Sequence, residues 1–422
     1  MAFLYVSKYV RRNGQAVREN SRQTPANANI NMLEGDREPI FMSVLREWLE
    51  EEMKISRAFA SFKRRGLECS SYVELHTPLE VRVGFHRLSI MDPTAKGDQP
   101  FRLTFQTDRD GHPLDPRAVS ADENKITART HNVYVVCSGE IYNYKELINS
   151  NIPENYLISK SDIEVIPHLF SKFAIEGVIN QIRGDFALII VDVDMDGHTV
   201  TVHAARDPIG VKPLFWANDE RCLAFCSELK GLVDVATHPI PFPPGHLMSA
   251  RFMITDQTTI AEPNVNWTQF YRYDYSAVSP NELSLLPQLY ARIREVLTAC
   301  VSERLMSDRP LGVLLSGGLD SSLVAAIAVQ ELKKEVLTPN SLLHTFTIGM
   351  PGSTDEKFAR IVANHISSEH HVVETNLEDF LEAIPEVVYA IESYDITTVR
   401  ASTGQFLVSE YISTKTAVKV RH

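Results

Sequence analysis

Cysteine is scarce in this sequence, and the scarcity excludes two architectures. Five stand among 422 residues: Cys69, Cys137, Cys222, Cys226 and Cys300. An odd, scattered set does not make a disulfide framework, so reduced thiols in an intracellular, cytoplasmic protein are expected. Cys222 and Cys226 are too far apart for a CxxC pair, and no second pair completes a zinc site. All five are expected to be buried structural cysteines. Long apolar runs are also missing, so no segment spans a bilayer and no membrane partner is expected. The short apolar start is broken by Lys8, and Arg11 and Arg12 follow it rather than precede it, which makes a poor signal peptide. A basic surplus is absent too: 42 Lys and Arg face 54 Asp and Glu, a net charge of −12. Duplex nucleic acid is therefore not an expected partner, since it requires a basic face that releases counterions. A nucleotide is not excluded, because one loop can supply the local positive potential. There is no internal repeat and no low-complexity tract.

What is present suits a globular protein of two or three domains, with 44% hydrophobic and 23% charged residues. Residues 1–39, rich in Arg, Asn and Gln, read as a poorly ordered tail. From Pro39 to about Arg64 the pattern is helical, with Val44, Leu45, Trp48, Leu49 and Met53 on one side. Between Val81 and Arg251 strands dominate. Val133–Cys137 and Phe186–Val191 are near-continuous apolar runs, expected of strands covered on both faces, and Thr199–His203 alternates. With helices near 144–149 and 162–179, this reads as an α+β domain of stacked sheets and covering helices. A Pro-rich linker is expected next. From about Glu282 strand and helix alternate, which predicts a parallel, doubly wound α/β sheet. In its first helix Leu289, Ile293, Val296, Leu297 and Cys300 are expected inward; after the second strand, so are Phe358, Ile361, Val362 and Ile366. The expected domains are 1–61 (tail and helix), 62–255, a linker over 256–281, and 282–422.

The sharpest signal is Leu314-Leu-Ser-Gly-Gly-Leu-Asp-Ser-Ser322, between a buried strand and an amphipathic helix. In a parallel sheet this lies at the carboxyl end of the strands, where ligands bind. Gly317 and Gly318 allow a tight turn and close backbone approach. Their N–H groups and those opening the next helix can converge on one anion, with Ser316, Ser321 and Ser322 adding hydroxyls. Asp320 either caps the helix or holds a magnesium ion beside the phosphates. No Gly-Lys-Ser/Thr follows, so this is not a Walker loop. It is similar to the SGGxDS loop of ATP pyrophosphatases, which bind ATP and release pyrophosphate.

Further strings fall into one order. They are Gly84-Phe-His-Arg-Leu-Ser-Ile-Met-Asp92, Gly97-Asp-Gln-Pro100, Ser138-Gly-Glu-Ile-Tyr-Asn143, Ser161-Asp-Ile-Glu-Val165 and Arg183-Gly-Asp-Phe-Ala187. Then come Ala205-Arg-Asp-Pro-Ile-Gly-Val-Lys-Pro-Leu-Phe215, Ser227-Glu-Leu-Lys230 and Pro243-Pro-Gly-His246. The set resembles the glutaminase half of the asparagine synthetase B family, an N-terminal-nucleophile fold. The loop, Ile348-Gly-Met-Pro-Gly-Ser-Thr-Asp355 and Ile391–Ser402 resemble its synthetase half. The resemblance covers about residues 62–420. It implies a glutaminase-like α+β sandwich followed by an α/β ATP-pyrophosphatase domain with a parallel sheet. It also implies ATP and Mg2+ as cofactors, aspartate, ATP and ammonia or glutamine as substrates, and allows a homodimer.

By position, Arg87 matches the arginine that pairs with the glutamine carboxylate, a surface ion pair being the other reading. Glu140 and Asp162 match the acids that hold its ammonium, and Gly139 offers a backbone N–H to the oxyanion. Leu314, Ser316, Gly317, Gly318, Leu319, Asp320, Ser321, Ser322, Ile348, Gly349 and Asp355 are the implied ATP-contacting positions; for Ile348 a core role and for Asp355 a helix N-cap are rivals.

Three departures qualify the resemblance. The family's glutaminase attacks with an N-terminal cysteine, and residue 2 here is Ala2. Cys69 lies beyond Arg64-Arg-Gly-Leu-Glu68, a degraded His-Arg-Gly-Pro-Asp, and is not expected to replace it. Ser138 stands where the family has an oxyanion-stabilising asparagine, a loss on the order of a hundredfold in rate. No glutaminase activity is therefore expected. The sequence ends at Lys419-Val-Arg-His422, where the family continues into Ser-Gly-Glu-Gly-Ser-Asp-Glu, so weak or no synthetase activity is expected. A β-lactam synthetase-like ligase and a non-catalytic nucleotide-binding module are the alternatives.

Overall fold

The structure, a computed structural model, describes residues 2–10, 40–66, 68–76, 79–108, 113–114, 128–196, 198–256, 259–260, 263–274, 286–334 and 342–420. Residues 11–39 of the expected tail and parts of the expected linker lie outside these. Contacts divide the chain into two units, Met1–Leu88 with Ala95–Arg272, and Ser89–Thr94 with Tyr273–His422.

The first unit is built from β1 (Ala2–Val10), α1 (Ile40–Ser61), β2 (Cys69–His76), β3 (Leu79–Arg87), β4 (Phe101–Thr107), β5 (Arg129–Ile141), α2 (Tyr144–Asn151) and α3 (Val165–Gln181). It continues with β6 (Gly184–Asp194), β7 (Thr199–Arg206), β8 (Phe215–Asn218), β9 (Cys222–Cys226), β10 (Ile240–Pro241), β11 (His246–Asp256), β12 (Thr259–Ile260) and β13 (Asn264–Gln269). One sheet runs β10-β8-β9-β1-β3-β2 and the other β12-β11-β7-β6-β5-β4, with β13 also on β11.

Three apolar layers explain the stacking. Between the sheets lie Leu4, Val6, Val81, Val83, Ile189, Val191, Val202 and Phe252. Val133, Val135, Leu188 and Ile190 point the other way, onto Val165, Leu169 and Val178 of α3. Phe3, Tyr5, Ala224 and Cys226 face Ile55, Ala58 and Phe62 at the end of α1. Strand residues alternate between faces, so β5 and β6 present apolar side chains to both neighbours. That is why they read as unbroken apolar runs.

Two expectations are corrected. Ala2–Val10 is not a tail: β1 pairs antiparallel with both β3 and β9, and Ala2 through Val6 are buried. The expected linker contains β12 and β13, both paired to β11. Both segments are short and bordered by polar residues, so their pairing partners, remote in sequence, decide the outcome.

The second unit holds α4 (Leu286–Glu303), β14 (Leu311–Leu314), α5 (Leu319–Leu332), β15 (His344–Gly349), α6 (Thr354–Ile366), β16 (Glu369–Glu374), α7 (Leu377–Ile391), α8 (Ile396–Lys415) and β17 (Lys419–Val420). Its sheet is wholly parallel, in the order β16-β15-β14-β17. The chain winds outward from β14 to β16 and returns to β17 on the other side. The carboxyl end of β14 is thus a topological switch point. Val301, Leu315, Ala325, Ala328, Ala359 and Ala363 fill one face of the sheet; Phe346, Val408, Ile412 and Val418 fill the other.

Two helix faces differ from expectation. In α4, Leu289, Ile293 and Val296 are exposed, and only its C-terminal end, through Leu297 and Val301, joins the core. In α6, Phe358 and Ile361 are exposed while Ala359, Ala363 and Ile366 turn inward. The backbone at Gly317 runs against α6 here, so that a Cβ on Gly317 would meet Ala359 N and Phe358 C. Among the cysteines, Cys137, Cys222 and Cys226 are buried as expected, whereas Cys69 and Cys300 are only half-buried.

No helix among the described residues is long and apolar enough to cross a membrane.

Candidate functional site

Each unit presents one cluster of the residues singled out above. In the first unit the cluster forms around the ends of β3 and β5 and the start of β1. Ala2 pairs with Phe85, and its N–H donates to Ser227 Oγ at 3.1 Å while Ser227 N–H returns to the Ala2 carbonyl at 3.1 Å. Two residues beyond Phe85, Arg87 is buried, and its Nη1 donates to Asp98 Oδ1 at 2.7 Å. The neighbouring Gln99 clamps β5 from both sides. Its Nε2 donates to the Cys137 carbonyl at 3.1 Å, and its Oε1 accepts from Cys137 N–H at 2.6 Å.

Ser138, Gly139 and Glu140 follow on the same strand. Gly139 has φ +151°, and a Cβ there would collide with the Asp185 carbonyl oxygen of β6. Glycine is required at this point for the two strands to approach, independent of any catalytic role. Glu140 is half-buried. Asp162 is buried, and its Oδ2 accepts from Ile141 N–H at 2.7 Å. The structure thus links Arg87, Ser138, Gly139, Glu140 and Asp162 through Asp98, Gln99 and the β5 backbone.

No activated thiol accompanies them. Burial pushes the Cys137 thiol up, far from the thiolate range. Cys69 is also raised, by desolvation and by its Sγ donating to Asp98 Oδ2 at 3.3 Å. A thiol is a nucleophile only as thiolate, so both shifts disfavour the reactive form.

Asp98, Gln99, Asp207 and Ser227 are contributors that sequence reasoning quoted in strings without assigning a task. Asp207 is the most connected. Its Oδ1 accepts from the N–H groups of Ile209, Gly210 and Val211 at 3.0, 2.6 and 3.0 Å, and its Oδ2 from Lys212 and Phe186 at 3.1 and 3.3 Å. Arg206 binds the same loop by its carbonyls, donating to Lys212 O, Gly210 O and Phe242 O at 2.8, 2.9 and 2.8 Å. Adjacent residues thus satisfy the N–H groups and the C=O groups of one tight loop.

In the second unit the cluster is the turn from β14 into α5. Leu315 is buried, and its N–H donates to the Phe346 carbonyl of β15 at 2.7 Å. The chain reverses at Gly317, φ +79°, a left-handed conformation that favours glycine. A Cβ there would lie 2.5 Å from Ala359 N. Gly318 is the N-cap of α5, and no side chain caps that helix end. The first amides of α5 therefore face outward with the positive end of the helix dipole. Hydroxyls surround them. Ser316 Oγ lies 3.0 Å from Ser321 Oγ, and Ser322 Oγ donates to the Gly318 carbonyl at 2.6 Å. Leu319 is 82% exposed, and Ser316, Gly318 and Asp320 are exposed beside it.

Of the two readings of Asp320, capping is overturned: Asp320 sits inside the first turn, after the N-cap. The cap reading of Asp355 falls likewise, because Ser353 is the N-cap of α6, accepting from Glu356 N–H at 3.3 Å. Ile348 packs on the core face shared with Val408 and Ile412, and Gly349 ends β15 beside Ser353. Leu314, which ends β14, is half-buried on that same face.

Comparison with known proteins matches both units. An asparagine synthase family model matches residues 292–421, and a glutamine amidotransferase domain model matches residues 116–234. The chain is 36% identical over 343 residues to asparagine synthetase [glutamine-hydrolyzing] 3 of Arabidopsis thaliana, covering 80% of this chain and 51% of that protein. Against the human asparagine synthetase [glutamine-hydrolyzing] it is 36% identical over 346 residues, covering 79% and 55%. Against the probable enzyme of Acanthamoeba polyphaga mimivirus it is 34% identical over 371 residues, covering 84% and 60%. The chain thus spans about half the length of the curated relatives it matches. With both units matched in order, a glutamine amidotransferase domain and then an asparagine synthase domain, the chain belongs to the family of glutamine-hydrolysing asparagine synthetases.

Proposed function

We propose that the second unit binds ATP and activates aspartate, and that the first unit keeps the frame of a glutamine site without hydrolysing glutamine. The observation that carries the first half is the turn at Gly317. It leaves the uncapped amides of α5 beside the Ser316 and Ser321 hydroxyls, 3.0 Å apart, at the switch point of a parallel sheet. Such an arrangement suits phosphate oxygens, because N–H dipoles, the helix terminus and the hydroxyls all favour negative charge there. Ser316, Gly317, Gly318, Leu319, Asp320, Ser321 and Ser322 form this cradle, with Leu314, Ile348, Gly349 and Asp355 bordering it.

In the proposed reaction an aspartate side-chain carboxylate oxygen attacks the α-phosphorus of ATP. Pyrophosphate leaves, and an aspartyl-adenylate remains. Ammonia then attacks the acyl carbon, AMP departs with the C–O bond electrons, and one ammonia proton is lost to solvent, giving asparagine. Asp320, exposed in the first turn of α5, supplies one hard oxygen, a donor set that fits Mg2+ held otherwise by phosphate oxygens and water. When bound, that ion neutralises phosphate charge.

In the first unit Arg87 would pair with a glutamine carboxylate, Glu140 and Asp162 with its ammonium, and the Gly139 N–H would face an oxyanion. Arg87 already shares Asp98, and Asp162 already holds Ile141, so both are held in place by neighbours before a ligand arrives. What is missing is a nucleophile at Ala2.

Two assays divide the reading. With Mg-ATP, aspartate and ammonium, whatever pyrophosphate the purified chain releases, weak as it is expected to be, should depend on aspartate; release that ignores aspartate would refute aspartate as the substrate. With glutamine alone, glutamate is expected to stay at the blank level. Steady glutamate formation would show that another group replaces the missing thiol.

A further inference from the structure

At the opposite end of the parallel sheet from the phosphate loop, two adjacent strands bring together three side chains that bind metals. Glu369 and His371 stand two residues apart on β16, so they share one face, while His370 between them faces the other way and bonds Thr345 Oγ1 through Nδ1 at 3.0 Å. His344 opens the neighbouring β15, directly opposite Glu369 in register. His344 Nδ1 lies 3.2 Å from His371 Nε2. The Glu369 carboxylate reaches both, at 3.7 Å from His344 Nδ1 and 3.5 Å from His371 Nε2. All three ligand atoms lie within 4.8 Å of one another.

These separations have a specific meaning. A tetrahedral zinc ion with bonds of about 2.0–2.1 Å keeps its ligand atoms about 3.3 Å apart along each edge. The two imidazole nitrogens, 3.2 Å apart, stand near one such edge, and the Glu369 carboxylate reaches each with a different oxygen, Oε1 to His371 Nε2 at 3.5 Å and Oε2 to His344 Nδ1 at 3.7 Å. A lone His–His hydrogen bond explains the first distance, but not the carboxylate placed at nearly equal reach of both ring nitrogens. The rings are also held in place: His371 stacks on Phe346 with centroids 4.7 Å apart and planes 13° apart, and Phe346 packs in the sheet core. Access is adequate, with His344, His371 and Glu369 side chains 23%, 21% and 52% exposed.

We propose that His344, His371 and Glu369 form a binding site for a borderline divalent cation of the zinc class, with a fourth position open to water. Imidazole nitrogens and one carboxylate select such an ion over magnesium or calcium, which prefer all-oxygen shells. His344 and Glu369 stand at the amino ends of β15 and β16, whereas the phosphate loop follows the carboxyl end of β14. The site's position on β15 and the edge strand β16 means that the ion cross-links the outer pair of the sheet.

The test uses the whole tag-free chain, stripped with chelator, dialysed and titrated with Zn2+ alone by calorimetry, with metal content measured after gel filtration. One Zn2+ per chain is expected. His344→Gln and His371→Gln should each weaken binding at least a hundredfold, and His370→Gln, on the opposite face, should leave it unchanged. Glu369→Gln, at the most exposed ligand and least able to disturb folding, should weaken it at least tenfold. Co2+ in place of Zn2+ should give the intense visible absorption of a tetrahedral site, lost in His371→Gln. Equal Zn2+ uptake by the wild-type, His371→Gln and Glu369→Gln chains, or no stoichiometric uptake by the folded wild type, would overturn the proposal.

Discussion

Gly317→Ala is expected to reduce Mg-ATP affinity and aspartate-dependent pyrophosphate release by at least a hundredfold. Two independent costs combine at this residue. Its φ of +79° is left-handed, which costs a side-chain-bearing residue about 1–2 kcal/mol. The added Cβ would also sit 2.5 Å from Ala359 N and 2.7 Å from Phe358 C, backbone atoms of α6 that cannot swing away as a flexible side chain can. Either the loop or α6 must move. A shift of about 1 Å in groups that position a reacting phosphate costs about two orders of magnitude. Gly318→Ala is the matched control. Its φ of −70° suits alanine, and the nearest atom to a new Cβ is Ser316 Oγ at 3.4 Å. The control should keep the loop's shape. Equal losses in the two variants would mean that the turn at Gly317 has no special role.

The second large effect concerns stability. Asp207→Ala should lower the unfolding free energy of the first unit by about 3–5 kcal/mol, read as a drop in the urea midpoint. The side chain is 1% exposed and accepts five backbone N–H groups. Alanine leaves those donors without the carboxylate and leaves Arg206 beside them. Since a domain is stable by about 5–15 kcal/mol in total, a loss of this size consumes much of the margin. Asp207→Asn keeps one acceptor oxygen but aims an NH2 at other donors, so an intermediate loss is expected. A change under about 1 kcal/mol in the alanine variant would show that the loop finds water or a new arrangement at little cost.

The parts legible in the sequence were those whose cause is local. Val133–Cys137 and Phe186–Val191 announced strands covered on two sides, and the structure covers them with a second sheet and with α3. The turn from β14 into α5 was legible because glycine, serine and aspartate at fixed spacing have few purposes between a strand and a helix. The α6 face was misread because periodicity favours the larger side chains, Phe358 and Ile361, whereas the small Ala359 and Ala363 are the ones buried with Ile366. β1 was missed because nothing around Ala2–Val6 reveals that β3 and β9, far along the chain, will flank it. In the first unit the sequence singled out Arg87 but gave no task to Asp98, with which it pairs. In the second unit a helix cap was one reading of Asp320 and of Asp355, but both lie in first turns and the caps belong to Gly318 and Ser353. The histidine and glutamate cluster was invisible for the same reason as β1: His344 and His371 are 27 residues apart and meet only because β15 and β16 pair in parallel.

The glutamine-site frame and the phosphate loop rest on different observations, so failure of one leaves the other standing. The activity proposed here, however, requires that the main-chain amides opening α5 take up the phosphates of ATP. Titration of Mg-ATP into the folded chain by calorimetry tests this most directly. A saturable one-to-one isotherm, retained in Gly318→Ala and abolished in Gly317→Ala, is the predicted result. No saturable heat from a chain that circular dichroism shows to be folded, or an isotherm untouched by Gly317→Ala, would contradict it.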